Sequence, residues 1–379
     1  MAAVLLAQLD PERQLLLACG RQVLDQQAGQ NDLVISAHVD WSACLDLASY
    51  HGFTAILAAA LKANDRTAPP EVLTRLANEL RQSAARSLLL SSELIALHEL
   101  FETCGIHAIP YKGPVLAALL YSGSMSRQFN DLDIFVPERD VGKVTALLEA
   151  RGYRSRLALS WEHSFVRDDT GVMVDVHWAF TNRLFPFRLS MDDTWPYVQE
   201  VMVAGRALST FSIEHTLLIQ CANAAKDDWL SLGQIYEIGQ LIRGKDINWT
   251  RVRLISEHLG CERVVYLGLF LAHELFGVFL PDEIAQAIRV DRIVIGLAGE
   301  VIARMGFSRQ FEQSYVANEY FRMKMWTRFQ DKIPFLRRIV RFLVTPNEKD
   351  LEVFRLPRSL TFVYYLIRPA RLAIKHLHK

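Results

Sequence analysis

Apolar positions recur at helical spacing through the first hundred residues of the chain. Val72, Leu73, Leu76 and Leu80 follow Pro69-Pro70, and a second stripe runs through Leu88, Leu89, Leu94, Ile95, Leu97 and Leu100. Asp10-Pro11 has the form of an N-cap followed by a first helical residue. After Cys104-Gly105 the period shortens. Ile106 to Tyr111 reads as a strand, Lys112-Gly113 ends it, and Pro114 opens a helix, since proline is tolerated in a first turn. A polar loop at 122–127 precedes the alternating, strand-forming run Asp131 to Val136. Pro137 stops that strand; Val141, Val144, Leu147 and Leu148 then mark a helix closed by Gly152. Two further apolar segments follow, ending in Val172 to Trp178. Beyond residue 180 helical stripes return, at Leu217, Leu218, Cys221 and Ala225 and at Ile235, Ile238, Leu241 and Ile242. The pattern predicts an α+β fold: a small mixed-sheet core at 105–180 between helical regions at 1–104 and 181–379.

Composition changes this picture little. Of 379 residues, 51% are hydrophobic and 22% charged, the profile of a packed globular protein. Net charge is zero, which argues against a nucleic-acid partner, although Lys332 to Lys379 is basic. Arg337, Arg338, Arg341, Arg355, Arg358, Arg368 and Arg371 there read as the wet side of amphipathic helices. The five cysteines are scattered without a CxxC pair, so neither a disulfide framework nor a zinc site is expected and a cytoplasmic location is the default. The N-terminus does not read as a signal peptide. Val264 to Leu280, the most apolar run, is broken by His273-Glu274 and reads as a buried helix; no transmembrane segment is expected.

The chemistry concentrates in the predicted core. Asp131 and Asp133 are two apart on a strand, so they share a face, while Leu132 and Ile134 point the other way. Carboxylates this close repel unless a cation sits between them, and Mg²⁺ prefers such hard oxygens together with phosphate. Asp175, between Val174 and Val176, offers a third carboxylate from another strand. Three on adjacent strands suit two metals about 4 Å apart. At Lys112-Gly113 the strand-to-helix turn lets backbone N–H groups approach phosphate, and Arg127 offers a bidentate contact. Each piece alone is common; the order strand, Gly, helix, loop, D-x-D strand, helix, hairpin, third-Asp strand is not.

The runs YKGPVLAALLY, SRQFNDLDIFV, LLEARGY and VMVDVHWAF resemble the bacterial uncharacterised nucleotidyltransferase family of the polymerase-β-type superfamily, strongly over 69–180 and recognisably to about 245. The resemblance implies a small mixed-sheet nucleotidyltransferase core that moves a nucleoside monophosphate from an NTP to an acceptor hydroxyl or phosphate, using Mg²⁺ or Mn²⁺. It implies Asp131 and Asp133 as metal ligands, Asp175 as the third carboxylate that positions or deprotonates the acceptor, and Gly113 beneath the triphosphate with Lys112 and Arg127 beside it. The acceptor is left open among a protein, a modified peptide and a metabolite. Lys226, in a helix with Trp229, either reaches the phosphates or lies on a solvated face. His177 either orients the acceptor or hydrogen-bonds an acidic neighbour; Trp178 is expected in the core. Gly113-Pro114 departs from the superfamily's usual Gly-Ser or Gly-Gly and removes two phosphate contacts. That departure motivates a rival reading, a catalytically inactive nucleotide-binding or regulatory module.

Overall fold

The computed structural model of the protein describes residues 2–25, 33, 35–64, 68–121, 128–182, 185–306, 314–345 and 365. The chain divides into a unit spanning Met1–Arg309 and another spanning Gln310–Lys379. The first holds a five-stranded mixed sheet, a separate hairpin and most of the helices, an α+β architecture as the sequence predicts.

The strands are β1 (Ile109–Pro110), β2 (Asp131–Phe135), β3 (Tyr153–Ala158), β4 (Glu162–Arg167) and β5 (Val172–His177), in sheet order β1-β2-β5-β4-β3. β2 and β5 are parallel; the other neighbours are antiparallel. Alternation sends Leu132, Ile134, Val174 and Val176 to one face, where they join Leu90, Leu94, Leu97 and Phe101 of the long helix Pro70–Thr103 in a single core. Each such burial contributes about 1.5–3 kcal/mol, enough to hold the opposite, polar face in register. β1 is shorter than predicted and lies at the sheet edge, where Pro110 costs no ladder bond.

Two local features depart from the sequence reading. The hairpin β6 (Gln199–Val203) and β7 (Arg206–Thr210) lies in the stretch taken as helical. Its turn, Ala204-Gly205, has φ of 46° and 83°, the two left-handed positions of a type I′ turn. Alanine in the first of them hides the usual Asn-Gly signal. Val201, Val203 and Leu208 pack into the sheet core, and Arg206 pairs with Glu99 of the long helix. Trp229 is not helical either: the helix Ile213–Lys226 ends before it, and Asp228 and Trp229 take left-handed φ of 55° and 61°. The Trp229 N–H then closes the helix end on the Ala224 carbonyl at 2.7 Å.

Most remaining helices of this unit pack on one another. Helix Glu262–Phe276 is the buried helix expected from its apolar run, and Phe276 meets Phe53 and Tyr236 at ring distances of 6.0 and 5.3 Å. Among the described residues no helix is long and apolar enough to cross a membrane. In the second unit, helices Tyr315–Lys324 and Phe329–Val344 pair around buried Glu319, which accepts from Arg338 at 2.7 Å and Arg322 at 3.4 Å. Arg337 and Arg341 are exposed; Arg355, Arg358, Arg368 and Arg371 lie outside the described residues.

Two buried imidazoles give the fold an acid-sensitive side. Burial, and then the Arg13 charge, lowers His51 to about 4; burial, and then Arg251, lowers His215 to about 4. His51 also accepts the Leu232 N–H at Nδ1, 3.4 Å away, which requires the neutral ring. Both groups bind more protons unfolded than folded between pH 6.5 and 4, so their contribution is complete above 6.5 and is lost as pH falls. Each is expected to cost about 2 kcal/mol by pH 5. The check is a Tm series from pH 7.5 to 5, whose slope should shrink in His51→Gln.

Candidate active site

The parallel pairing of β2 with β5 sets Asp133 beside Asp175, Phe135 beside His177, and Asp131 beside Met173. On the other side of β5, β4 places Ser164 opposite Asp175 and Glu162 opposite His177. Because all these positions share one pleat face, chemistry from three strands meets at one point. Among the described residues, potential ligand atoms of Asp133, Asp175 and His177 lie within 4.8 Å of one another. Asp131 stands one pleat back on the same face and does not join that group.

Asp133 is 6% exposed, a position that strongly disfavours a bare charge. Its Oδ1 accepts from Lys112 Nζ at 2.9 Å and from His177 Nε2 at 3.0 Å. Burial pushes the carboxyl's pKa up, but the Lys112 ammonium and the His177 N–H outweigh it and hold the group well below the usual carboxylate range. Burial works against the Lys112 charge as well; Asp133 outweighs it and raises the ammonium's pKa. The Tyr111 ring lies 5.2 Å from Lys112 Nζ and edge-on to His177 at 5.7 Å, walling the pair off from solvent. His177 Nδ1 is buried without a hydrogen bond, with Glu162 Oε2 at 3.5 Å.

This orphan tests whether a metal fits. Two carboxylates and an imidazole nitrogen form a mixed oxygen–nitrogen set that a divalent ion satisfies; the oxygens suit Mg²⁺, and the nitrogen is better accepted by Mn²⁺. Asp133, Asp175 and His177 would hold it.

The phosphate-side residues are placed unevenly. Gly113 begins the helix Gly113–Leu120 at φ +52°, and a Cβ there would stand 3.1 Å from the Asp131 carbonyl oxygen. Only glycine lets the turn press so close to β2. The Val115 and Leu116 N–H groups turn back to the Lys112 carbonyl at 3.2 and 3.5 Å. Lys226 closes its helix exposed to solvent, and Arg127 lies outside the described residues.

Trp178 is half-buried rather than in the core; its indole N–H donates to the Ser160 carbonyl at 3.1 Å. With Phe185, Phe187, Leu189 and Arg188 it lines a cavity of about 380 Å³ just beyond β5.

Sequence patterns missed Arg86. From the long helix it donates to the carbonyls of Thr170 (3.2 Å), Asn130 (3.1 Å) and Gly171 (2.8 Å), tying the start of β2 to the turn before β5. Glu162, beside His177, went unmarked because nothing in its neighbourhood distinguishes it from a solvated strand residue.

The family profile described as uncharacterised nucleotidyltransferase matches residues 37–277, well over half of the chain. The chain belongs to that family. The match is wider than the stretch in which the motifs are legible. No curated protein matches the chain. Similar solved structures include the lincosamide antibiotic adenylyltransferase LnuA with lincomycin bound, at 20% identity, 40% of this chain, 94% of that one and TM-score 0.31. ANT(2")-Ia in complex with adenylyl-2"-tobramycin is similar at 16% identity over 45% and 95%, TM-score 0.35. An antigenic nucleotidyltransferase-like protein from Paracoccidioides brasiliensis follows at 13% over 54% and 98%, TM-score 0.31. Superpositions this partial say nothing of substrate; the profile match decides the family.

Two substitutions probe how this family member holds its site. Arg86→Met is expected to cost about 1 kcal/mol, because three solvent-accessible carbonyls at the strand starts lose a charged donor; urea denaturation measures it. Lys112→Met strands a buried carboxylate and is expected to cost about 3–5 kcal/mol. Mn²⁺ should then raise the Tm of Lys112→Met by more than it raises that of the native protein.

Proposed function

We propose that the protein transfers a nucleoside monophosphate from an NTP to an acceptor oxygen at the face shared by Asp131, Asp133 and Asp175. The observation that carries this is the parallel register placing Asp133 beside Asp175, with His177 completing a set that a divalent ion fits. When bound, Mg²⁺ or Mn²⁺ offsets phosphate charge and polarises the attacking and leaving oxygens. The chain's own residues do the rest. Lys112 leaves Asp133 and pairs with the triphosphate, which trades one anionic partner for another without exposing either charge. Gly113 admits phosphate against the backbone, and Arg127 and Lys226 are the further cations proposed for the phosphates. An acceptor hydroxyl, oriented by His177, forms a new O–Pα bond as the Pα–O–Pβ bond breaks. Pyrophosphate leaves, and the hydroxyl proton passes to Asp175. The catalytic core is then 105–180, preceded in the chain by a helical region at 1–104 and followed by one at 181–379.

Gly113-Pro114 supports a second reading, binding without turnover. Proline has no N–H, and the next two N–H groups already serve the Lys112 carbonyl, so the turn offers phosphate few donors.

Calorimetry with ATP, GTP, CTP and UTP and Mg²⁺ separates the outcomes. Metal-dependent binding of one triphosphate is expected, weakened at least about 100-fold in Asp131→Asn/Asp133→Asn, equivalent to about 2.7 kcal/mol. Binding that ignores the substitutions removes the site. Pyrophosphate release distinguishes turnover from the silent module, and Pro114→Ser should raise affinity.

A further inference from the structure

The cavity beyond β5 has a place in the geometry of the site. Gly113 touches the chain at Asp131, one end of β2, whereas Phe135 and His177 end β2 and β5 at the other. From Asp131 to Phe135 is about 13 Å of strand at roughly 3.3 Å per residue. Trp178 follows His177 directly, and its backbone N–H binds the Trp161 carbonyl at 3.1 Å. Phe187 meets Phe180 at 6.0 Å, and Phe180 stacks on Phe135 at 4.3 Å. Along the strand axis the order is therefore phosphate turn, carboxylates, His177, cavity. In-line displacement requires the attacking oxygen opposite the departing pyrophosphate.

We infer that this cavity is the acceptor pocket and that it takes a small aromatic hydroxy-acid. The inference rests on the transfer reading above. About 380 Å³ suits a small molecule rather than a protein chain. Trp178, Phe185 and Phe187 offer ring faces and edges to a planar body. Arg188 is exposed, lines the same space and makes no ion pair among the described residues, and its planar fork matches a carboxylate. No Asp or Glu lines the cavity among those residues, so a polycationic acceptor finds no counter-charge. The carboxylate faces Arg188, and the hydroxyl lies at the Trp178 end of the cavity, next in sequence to His177.

The test is tryptophan-fluorescence titration of the full chain, without metal or nucleotide. The probes are 4-hydroxybenzoate, 4-hydroxyphenylacetate and 3-(4-hydroxyphenyl)propionate, each beside its uncharged alcohol analogue. At least one acid should bind saturably and about 10-fold or more tighter than its alcohol. That preference should vanish in Arg188→Gln, and binding should be lost in Ala179→Phe, which fills the cavity, with circular dichroism confirming the fold of both. The titration contains neither metal nor NTP, which keeps this result independent of both. Failure of all three acids, or binding indifferent to both cavity variants, overturns the pocket assignment while leaving nucleotide binding to stand or fall by calorimetry.

Discussion

A carboxylate that is 6% exposed is a heavy demand on any fold, and Asp133 imposes it on this one. Without Lys112 and His177 the group would take up a proton or draw water into the sheet. The ammonium that answers it must come from the turn after β1, the imidazole from the neighbouring strand β5, and both must arrive within 3.0 Å. That requirement fixes how the edge strand is laid, where the Gly113 helix starts, and which strand runs parallel to β2.

The same requirement sets the charge at the site. Lys112 offsets Asp133 at 2.9 Å, and Asp175 beside it adds a second carboxylate that a divalent ion would offset. On the transfer proposed above, Asp133, Asp175 and His177 would hold the ion, and the Lys112 ammonium would turn from Asp133 to the triphosphate.

Much of this was legible in the sequence because it depends on local periodicity. Asp131 and Asp133 alternate with Leu132 and Ile134, and that alternation alone separates the core face from the chemical face. Gly113 was legible for a similar reason, because a strand, a glycine and a helix start leave few geometries. What escaped depends on distance along the chain. Arg86 bonds to carbonyls on segments far downstream, and a helical stripe says nothing about where an arginine's tip goes. The strand order that puts His177, rather than Asp131, nearest Asp133 and Asp175 is set by which strands pair, not by spacing within one. The β6–β7 hairpin escaped because its turn places alanine where asparagine or glycine would announce it.

The parallel pair β2–β5 also limits how the gene can vary. A strand can exchange side chains one at a time, each judged by its own fit. A single codon inserted or deleted within β2 would instead carry every later residue to the opposite pleat face. Asp133 would turn into the apolar layer and Ile134 toward Lys112, while Arg86 still gripped both strand starts. Over these five residues, reading-frame-preserving indels should be far scarcer among descendants of this sequence than substitutions, and any length variation should collect in the loops on either side.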